Sequence, residues 1–348
     1  MIYTSDSMAV IQQKLNKGGT ITWQKGTYDI KKQLILKAKS VINLNGARLR
    51  RCANIQSIFL NDCKTSTKAY NGDGDITIMN GTFEGMGKYS PDNLVTFFHS
   101  HHIAILNCTF LDTRCHAIEI NSSCDVVILG CKFLGYNTEE PHKEMIQIDA
   151  AYIGGFWKEG SSRKSKCYDG TMCKNITIEE CVFDKSSSRD YPKACIGTHT
   201  QIVGGRMHRN IAIQNNTFTC IGNQSCLSLI GMTDVVIHRN TFNQYGRVAR
   251  IYNKDFSYNL LGEKVAPMET DGQCTNICFD NNLCIGSLGD NKCTGLYIDN
   301  SCADNIKIIN NEFEKKSDIE KYYLYVTTKG CKNLVVKDNK TKLKAKTK

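Results

Sequence analysis

Nine segments of this chain follow one eight-residue template, and nothing else in the sequence constrains the fold as strongly. They occupy residues 76–83, 103–110, 126–133, 176–183, 211–218, 235–242, 277–284, 306–313 and 334–341. Each reads apolar, any, apolar, two mostly polar residues, then Asn, Cys or Gly, any residue, and usually Phe. Ile76-Thr-Ile-Met-Asn-Gly-Thr-Phe83 is one copy and Ile211-Ala-Ile-Gln-Asn-Asn-Thr-Phe218 another. Successive starts lie 27, 23, 50, 35, 24, 42, 29 and 28 residues apart. A base period in the twenties, lengthened where loops are inserted, is what a solenoid produces, because each coil buries its apolar face only by stacking on its neighbours. Apolar residues at the first and third positions mark a strand with one face inward.

The sixth template position is Gly81, Cys108, Cys131, Cys181, Asn216, Asn240, Asn282, Asn311 and Asn339. At an inward turn, equivalent residues of successive coils lie one strand spacing, about 4.8 Å, apart. Asparagine amides can hydrogen-bond into a ladder along such a stack, and buried thiols can stack there as small apolar groups. The chain has 18 cysteines, which would otherwise suggest disulfides or metal. No Cys-x-x-Cys pair exists, the cysteines are spread evenly, and a second file precedes the strand at Cys173, Cys274 and Cys331. Structural thiols are therefore expected rather than a disulfide framework or a zinc site.

A second strand follows each template, for example His116-Ala-Ile-Glu-Ile120, Met145-Ile-Gln-Ile-Asp149 and Cys195-Ile-Gly-Thr-His199. There is no βαβ alternation, and stacked coils need none. Ahead of the coils, Ser5 or Asp6 can N-cap a helix over Met8–Leu15, stopped by Gly18 and Gly19. Such a helix would cover the open end of the first coil, where unpaired strand edges invite aggregation. The helix followed by Gly19-Thr-Ile-Thr-Trp-Gln-Lys-Gly-Thr-Tyr28 resembles the opening of pectin-lyase-like β-helix proteins. That superfamily holds polysaccharide lyases, polygalacturonase-type hydrolases and phage tailspike depolymerases. The expected fold is all-β, a single right-handed parallel β-helix (solenoid) with an N-terminal capping helix over 1–18. The coils run over 19–340, with long loops at 150–174 and 252–273 and a mobile basic tail at 341–348. The resemblance is specific for fold and much less so for reaction, since β-helices host lyases, hydrolases, epimerases and plain adhesins.

Inward isoleucines turn their neighbours outward. With Ile118, Ile120, Ile146, Ile148 and Ile196 inside, two outward files result. One carries Thr96, Glu119, Gln147, Gly197 and Ser228, and the other Phe98, Asn121, Asp149 and His199. Glu119 and Asp149 then stand one coil and two residues apart, roughly 8 Å between Cβ atoms from the strand spacing and rise. Inverting glycosidases hold their general acid and base about 6.5–9.5 Å apart, leaving room for the attacking water. Glu119 would be the acid and Asp149 the base, with His199 orienting Asp149 and, if charged, keeping it ionised. Beside this stands the plainer alternative that outward charges on any β-helix form ordinary surface hydrogen bonds.

The two longest insertions flank this face. Residues 150–174 carry Tyr152, Phe156, Trp157 and Tyr168 with Arg163, Lys164 and Lys166, and residues 252–273 carry Tyr252, Phe256 and Tyr258. Loops this long are usually functional or disordered. Exposed aromatics suit stacking on sugar rings, or else pack the loop onto the coil. Asn121, Gln147, Tyr152, Trp157 and Arg250 are the candidate substrate-binding residues, Arg250 as a contact for an acidic sugar. Trp23 reads as structural, and His99, His101, His102 and His116 as turn or core residues. The Asn-Thr-Asp, paired-aspartate and Gly-His-Gly motifs of polygalacturonase-type hydrolases are absent, and Asp271-Gly272 does not replace them. Nor is there a carboxylate cluster resembling that of calcium-dependent pectate lyases, so no catalytic residue carries over from a family.

The formal charge of +10 arises from 44 Lys and Arg against 34 Asp and Glu, with five lysines in the last nine residues. The excess suits an anionic polymer or simple solubility. Aromatics interleaved with a basic face, which nucleic-acid binding would need, are not evident. No apolar run is long enough to span a membrane, and no basic-then-apolar leader opens the chain. The sequence thus points to a polysaccharide partner, with no nucleic acid, membrane, metal or cofactor, in an extracellular or phage-particle setting, as a monomer or a homotrimer. The leading function is an inverting glycoside hydrolase. Its rivals are a polysaccharide lyase, betrayed by unsaturated products, and a non-catalytic carbohydrate-binding or phage receptor-binding protein.

Overall fold

The computed structural model describes residues 1–85, 93–136, 144–155, 162, 165–198, 200–220, 225–243, 246–286, 292–299, 303–315, 321–327, 331–341 and 344–347. Three parallel sheets stack as a solenoid, with eleven, ten and eleven strands among the described residues, and successive strands of the chain visit them in turn. The first sheet runs from Gly19–Thr22 to Val335–Lys337, the second from Thr27–Ile30 to Glu312–Lys315, and the third from Leu34–Leu36 to Lys344–Thr347. Ile76, Ile103, Val126, Ile176, Ile211, Val235, Ile277 and Ile306 pair in one unbroken register with their side chains buried. Leu334 packs, partly buried, at the end of that row. Among the described residues, no helix is long and apolar enough to cross a membrane.

Each coil holds three strands, one more than the sequence reading found. The template read as a single strand contains a corner. Its fifth residue, from Asn80 to Asp338, has φ between 51° and 64°, and the residue before each template, from Asp75 to Asn333, has φ between 49° and 57°. Left-handed backbone is costly for most L-residues and least so for Asn, Asp and Gly, which supply most of these positions. The corner sends the template Phe into the second sheet. There Phe83, Phe110, Phe133, Phe183, Phe218 and Phe242 stack face to face at 4.6–5.2 Å. Where Cys284 replaces the Phe, Phe279 of the same coil fills the column, 5.9 Å from Phe242 and 6.4 Å from Phe313.

The inner corner carries the expected ladder. Asn216, Asn240, Asn282 and Asn311 each donate a side-chain N–H to the next Asn Oδ1 at 2.9–3.0 Å, ending on Asn339. Each also donates to a carbonyl of the preceding coil, Asn240 to Ile213 at 2.9 Å for instance. Earlier in the stack Cys108, Cys131 and Cys181 occupy the same rungs, buried, with thiols directed at the equivalent carbonyls of Ile78, Ile105 and Ile128. The described cysteines are free thiols.

At the open end of the solenoid lies the helix Met8–Leu15, with Ile11 and Leu15 fully buried. Its N-cap is Ser7, whose Oγ accepts from the Val10 amide, rather than Ser5 or Asp6. Asp6 is engaged elsewhere, accepting from the Tyr3 amide at 2.8 Å and pairing with Lys14. At the other end, part of the segment expected to be a mobile tail is ordered: Lys344–Thr347 pairs in parallel with Lys321–Thr327. The last strand edge has unpaired backbone groups that an extended chain can satisfy.

Candidate functional site

The outward face of the third sheet carries the two expected files. Thr96, Glu119, Gln147, Gly197 and Ser228 are consecutive register partners, and the row continues through Arg250 to Tyr297. Phe98, Asn121 and Asp149 form the second row. His199, the next member, and Trp157 lie outside the described residues. Gly197 leaves a bare spot in the first row, because a Cβ there would come within 2.1 Å of the Ser228 carbonyl oxygen.

Glu119 and Asp149 stand diagonally across a square completed by Asn121 and Gln147. Asn121 donates to Glu119 Oε1 at 3.1 Å, and Gln147 donates to Asp149 Oδ2 at 2.8 Å. Glu119 Oε2 also accepts from Asn93 and, at 3.4 Å, from Thr96. Asp149 accepts further from the Ala150 amide at 2.8 Å and from the Thr200 hydroxyl at 3.1 Å. The parity was right, but outward did not mean exposed: Glu119 is 5% accessible and Asp149 0%.

The cover comes from the loops. Tyr152, expected as a platform for sugar, is buried, with its hydroxyl 3.2 Å from Thr200 and its ring 5.6 Å from Tyr258. Burial and the nearby Asp149 carboxyl push the Tyr152 phenol well above its usual range. Tyr168 is buried with Leu60, Cys63, Phe98, Ala151 and Cys167. A segment that sequence reasoning missed, 62–75, helps to close this side: the Ala69 amide donates to Asp169, and the Tyr70 hydroxyl donates to the Met172 carbonyl. Both ring nitrogens of the buried His99 lie against carbonyl oxygens, of Ala69 in this segment and of Cys167 in the long loop. Asp271 organises the other loop, accepting from the amides of Gly204, Gly205 and Met268 and from the Ser257 hydroxyl at 2.7–2.9 Å.

Farther along the first row the face opens and its chemistry changes. Arg250 lies flat over the Tyr252 ring, Cζ to centroid 3.9 Å, and donates to Asp299 at 3.0 Å. Arg247 sits 5.1 Å over Tyr297, while Lys254 and Lys264 approach Phe256 at 5.3 and 4.3 Å. Burial, and then the charge of Arg250, lowers the pKa of Arg247; burial lowers that of Lys254. Arg250 Nε–H is enclosed and has no hydrogen-bond partner. The sequence reading had Arg250 and Tyr252, but not the partners Arg247 and Tyr297, which only the three-dimensional register brings alongside.

No family model matches the chain. A curated relative, the plasmin and fibronectin-binding protein A of Streptococcus pneumoniae (strain ATCC BAA-255 / R6), is 28% identical over 256 residues, which is 65% of this chain and 35% of that protein. The chain thus spans about a third of that relative's length. A solved structure of the S. pneumoniae surface protein and adhesin PfbA superposes with a TM-score of 0.69 at 20% identity, covering 98% of this chain and 96% of that one. The tailspike protein of E. coli bacteriophage HK620, in complex with a pentasaccharide, gives 0.60 at 14% identity, covering 96% and 62%. The A-module of the Azotobacter vinelandii mannuronan C-5 epimerase AlgE6 gives 0.53 at 14% identity, covering 97% and 95%. The fold is thus a parallel β-helix, like that of these three solved structures.

Proposed function

We propose that this protein is a non-catalytic binding protein of the adhesin kind, working outside the cell, whose lateral face holds an anionic carbohydrate chain at the Arg250 patch. The observation that carries this reading is the Arg250 guanidinium, its side chain 34% exposed and set among further cations and aromatic rings. Arg247, Arg250, Lys254 and Lys264 crowded together, with Asp299 and Glu144 among the carboxylates close by, favour a docking anion, and tyrosine faces suit sugar rings. The closed state of Asp149 supports the same reading, since a general base must reach the water it activates. Similarity to a plasmin and fibronectin-binding protein supports recognition rather than cleavage. Calorimetry of the intact chain against uronate-containing and neutral oligosaccharides is the test. Binding should favour the anionic set, and Arg250→Gln should weaken it about 10–100-fold, the scale of one charge-assisted hydrogen bond. Plasmin and fibronectin belong in the same panel. Equal binding of neutral and anionic sugars, or an Arg250→Gln variant that binds like the parent, sinks the proposal.

A second reading, the inverting hydrolase, is favoured by the diagonal Glu119–Asp149 arrangement. It requires that the intact protein release new reducing ends from a polysaccharide. Glu119→Gln and Asp149→Asn should then each cost about 10²–10⁴-fold, and His199→Ala should cost less while shifting the pH profile.

A further inference from the structure

The outer corner file that precedes each template strand is mostly a ladder of amides and carboxylates. Asn175 donates to Asp125 at 2.8 Å, Asn210 to Asn175 at 3.0 Å, Asn276 to Asp234 at 2.9 Å and Asn305 to Asn276 at 2.7 Å. One rung differs. His102 takes the left-handed position, with φ 49°, between Asp75 on one coil and Asp125 on the next. Its Nδ1 lies 2.9 Å from Asp75 Oδ1, and its Nε2 lies 3.9 Å from Asp125 Oδ2. The adjacent His101 turns its ring the same way, edge-on to His102 at 5.2 Å, with Nε2 4.0 Å from Asp75 Oδ2.

We propose that Asp75, His101 and His102 bind a divalent first-row transition cation of the zinc class, with water at the remaining position. One ligand atom from each of the three already lies within 4.8 Å of the others. In a tetrahedral site with bonds of about 2.0–2.1 Å, ligand atoms sit roughly 3.3 Å apart. The 4.0 Å gap from His101 to Asp75 need only close by about 0.6 Å, and the 2.9 Å contact of His102 with Asp75 must open by about 0.4 Å, within reach of side-chain rotation at a half-exposed corner. His101 is seated for the task. Its Nδ1 lies 2.8 Å from the Tyr70 carbonyl, an acceptor that leaves the Nε2 lone pair for the metal, the usual outer-shell arrangement of a metal histidine. Gly74 makes room for the ring, since a Cβ there would lie 2.7 Å from His101 Nδ1. Two imidazoles and one carboxylate with an open position suit zinc-like cations rather than calcium, which takes six to eight oxygens. The Asp75 carboxylate, with Asp125 on the far side of the His102 ring, offsets the charge of a divalent ion. The bound cation would clasp the corners of two successive coils and, through Tyr70, steady the loops closing the candidate site. The sequence reading, which expected no metal, saw here only turn histidines, because no sequence spacing announces ligands that come from two coils.

Full-length protein treated with chelator, then titrated calorimetrically with Zn²⁺ alone, tests this. One ion should bind per chain, with a rise in melting temperature. The double variant His101→Ala/His102→Asn should lose affinity by about 100-fold or more, at least the scale of disrupting a metal histidine's support. Asn occupies the same left-handed corner at Asn175, Asn210 and Asn276, so the variant keeps its fold. His238→Asn, which removes a simple His–Asp pair of 2.8 Å elsewhere on the coil, is the control and should bind as the parent does. Co²⁺ substitution should give a nitrogen/oxygen ligand spectrum without thiolate charge transfer. Absence of binding in the parent, undiminished binding in the double variant, or a thiolate band from the cysteines overturns the proposal.

Discussion

Three donors converge on the Asp149 carboxyl: a backbone amide, an amide side chain and a hydroxyl. Asp149→Asn would turn one acceptor into a donor facing donors, so it should destabilise the fold by about 1–3 kcal/mol, measured by urea unfolding. A second buried residue makes stability depend on pH. His208 accepts the Cys173 amide at Nδ1, 3.0 Å, and burial lowers its pKa to about 3. The unfolded histidine titrates near 6.5. Because the folded value is the lower one, the unfolded chain takes up the proton first. The contribution is complete above about pH 6.5 and is lost as the pH falls toward 3, by up to about 1.4 kcal/mol per unit. His208→Asn keeps an acceptor for Cys173, and should flatten the slope of stability between pH 4 and 6 by about one proton. At this scale the sequence was half legible. Period-two alternation told correctly that Glu119 and Asp149 share the outer face, but alternation reports a side chain's direction and not what lies over it. Tyr152, read as a platform for a ligand, is instead buried against Thr200 and Tyr258, and Tyr168, left open between stacking on sugar and packing its loop, packs the loop.

Among the elements, the inner corner file was the most legible and the template's own corner the least. The Asn ladder and Cys file were readable because equivalent rungs recur at one template position. The corner beside them escaped, because Asn80, Asn107 and Asn215 are as polar as any outward strand residue and only their backbone angle shows the bend. Two measurements probe the file. Cys108, Cys131 and Cys181 should resist alkylation in the native protein and react fully once it is denatured without reductant, since all three are buried and burial raises the Cys108 thiol pKa to about 12. Rapid native labelling, or a disulfide among them, would contradict the structural-thiol role. Asn240→Ala removes the acceptor of the Asn216 amide and the donor to the Ile213 carbonyl, and should cost about 2 kcal/mol or more. Asn240→Cys retains a donor toward that carbonyl and should cost less.

A solenoid has two ends, and at each the sheets stop with their backbone groups unpaired unless something answers them. At the first end the answer is partly one side chain. Gln12 on the helix Met8–Leu15 donates through Nε2 to the Ile35 carbonyl at 2.9 Å and accepts the Ile35 amide at Oε1, 2.8 Å, so it pairs with the strand Leu34–Leu36 much as another strand would. Ile11 and Leu15 seal the apolar interior beside it. Stability in such a molecule is close to a sum of coil and neighbour contributions, so damage at the end should spread little into the middle coils. The double variant Ile11→Asp/Gln12→Ala should therefore keep most of its strand signal in circular dichroism. It should also expose a ready strand edge and an apolar opening, so light scattering after size-exclusion chromatography should find larger, concentration-dependent species absent from the parent. A surface variant such as Lys17→Ala, on the same end but touching neither Ile35 nor the core, should leave the parent's state unchanged. If the double variant keeps the parent's mass across the concentration range, the helix does not act as an edge guard, and its role is confined to packing the first coil.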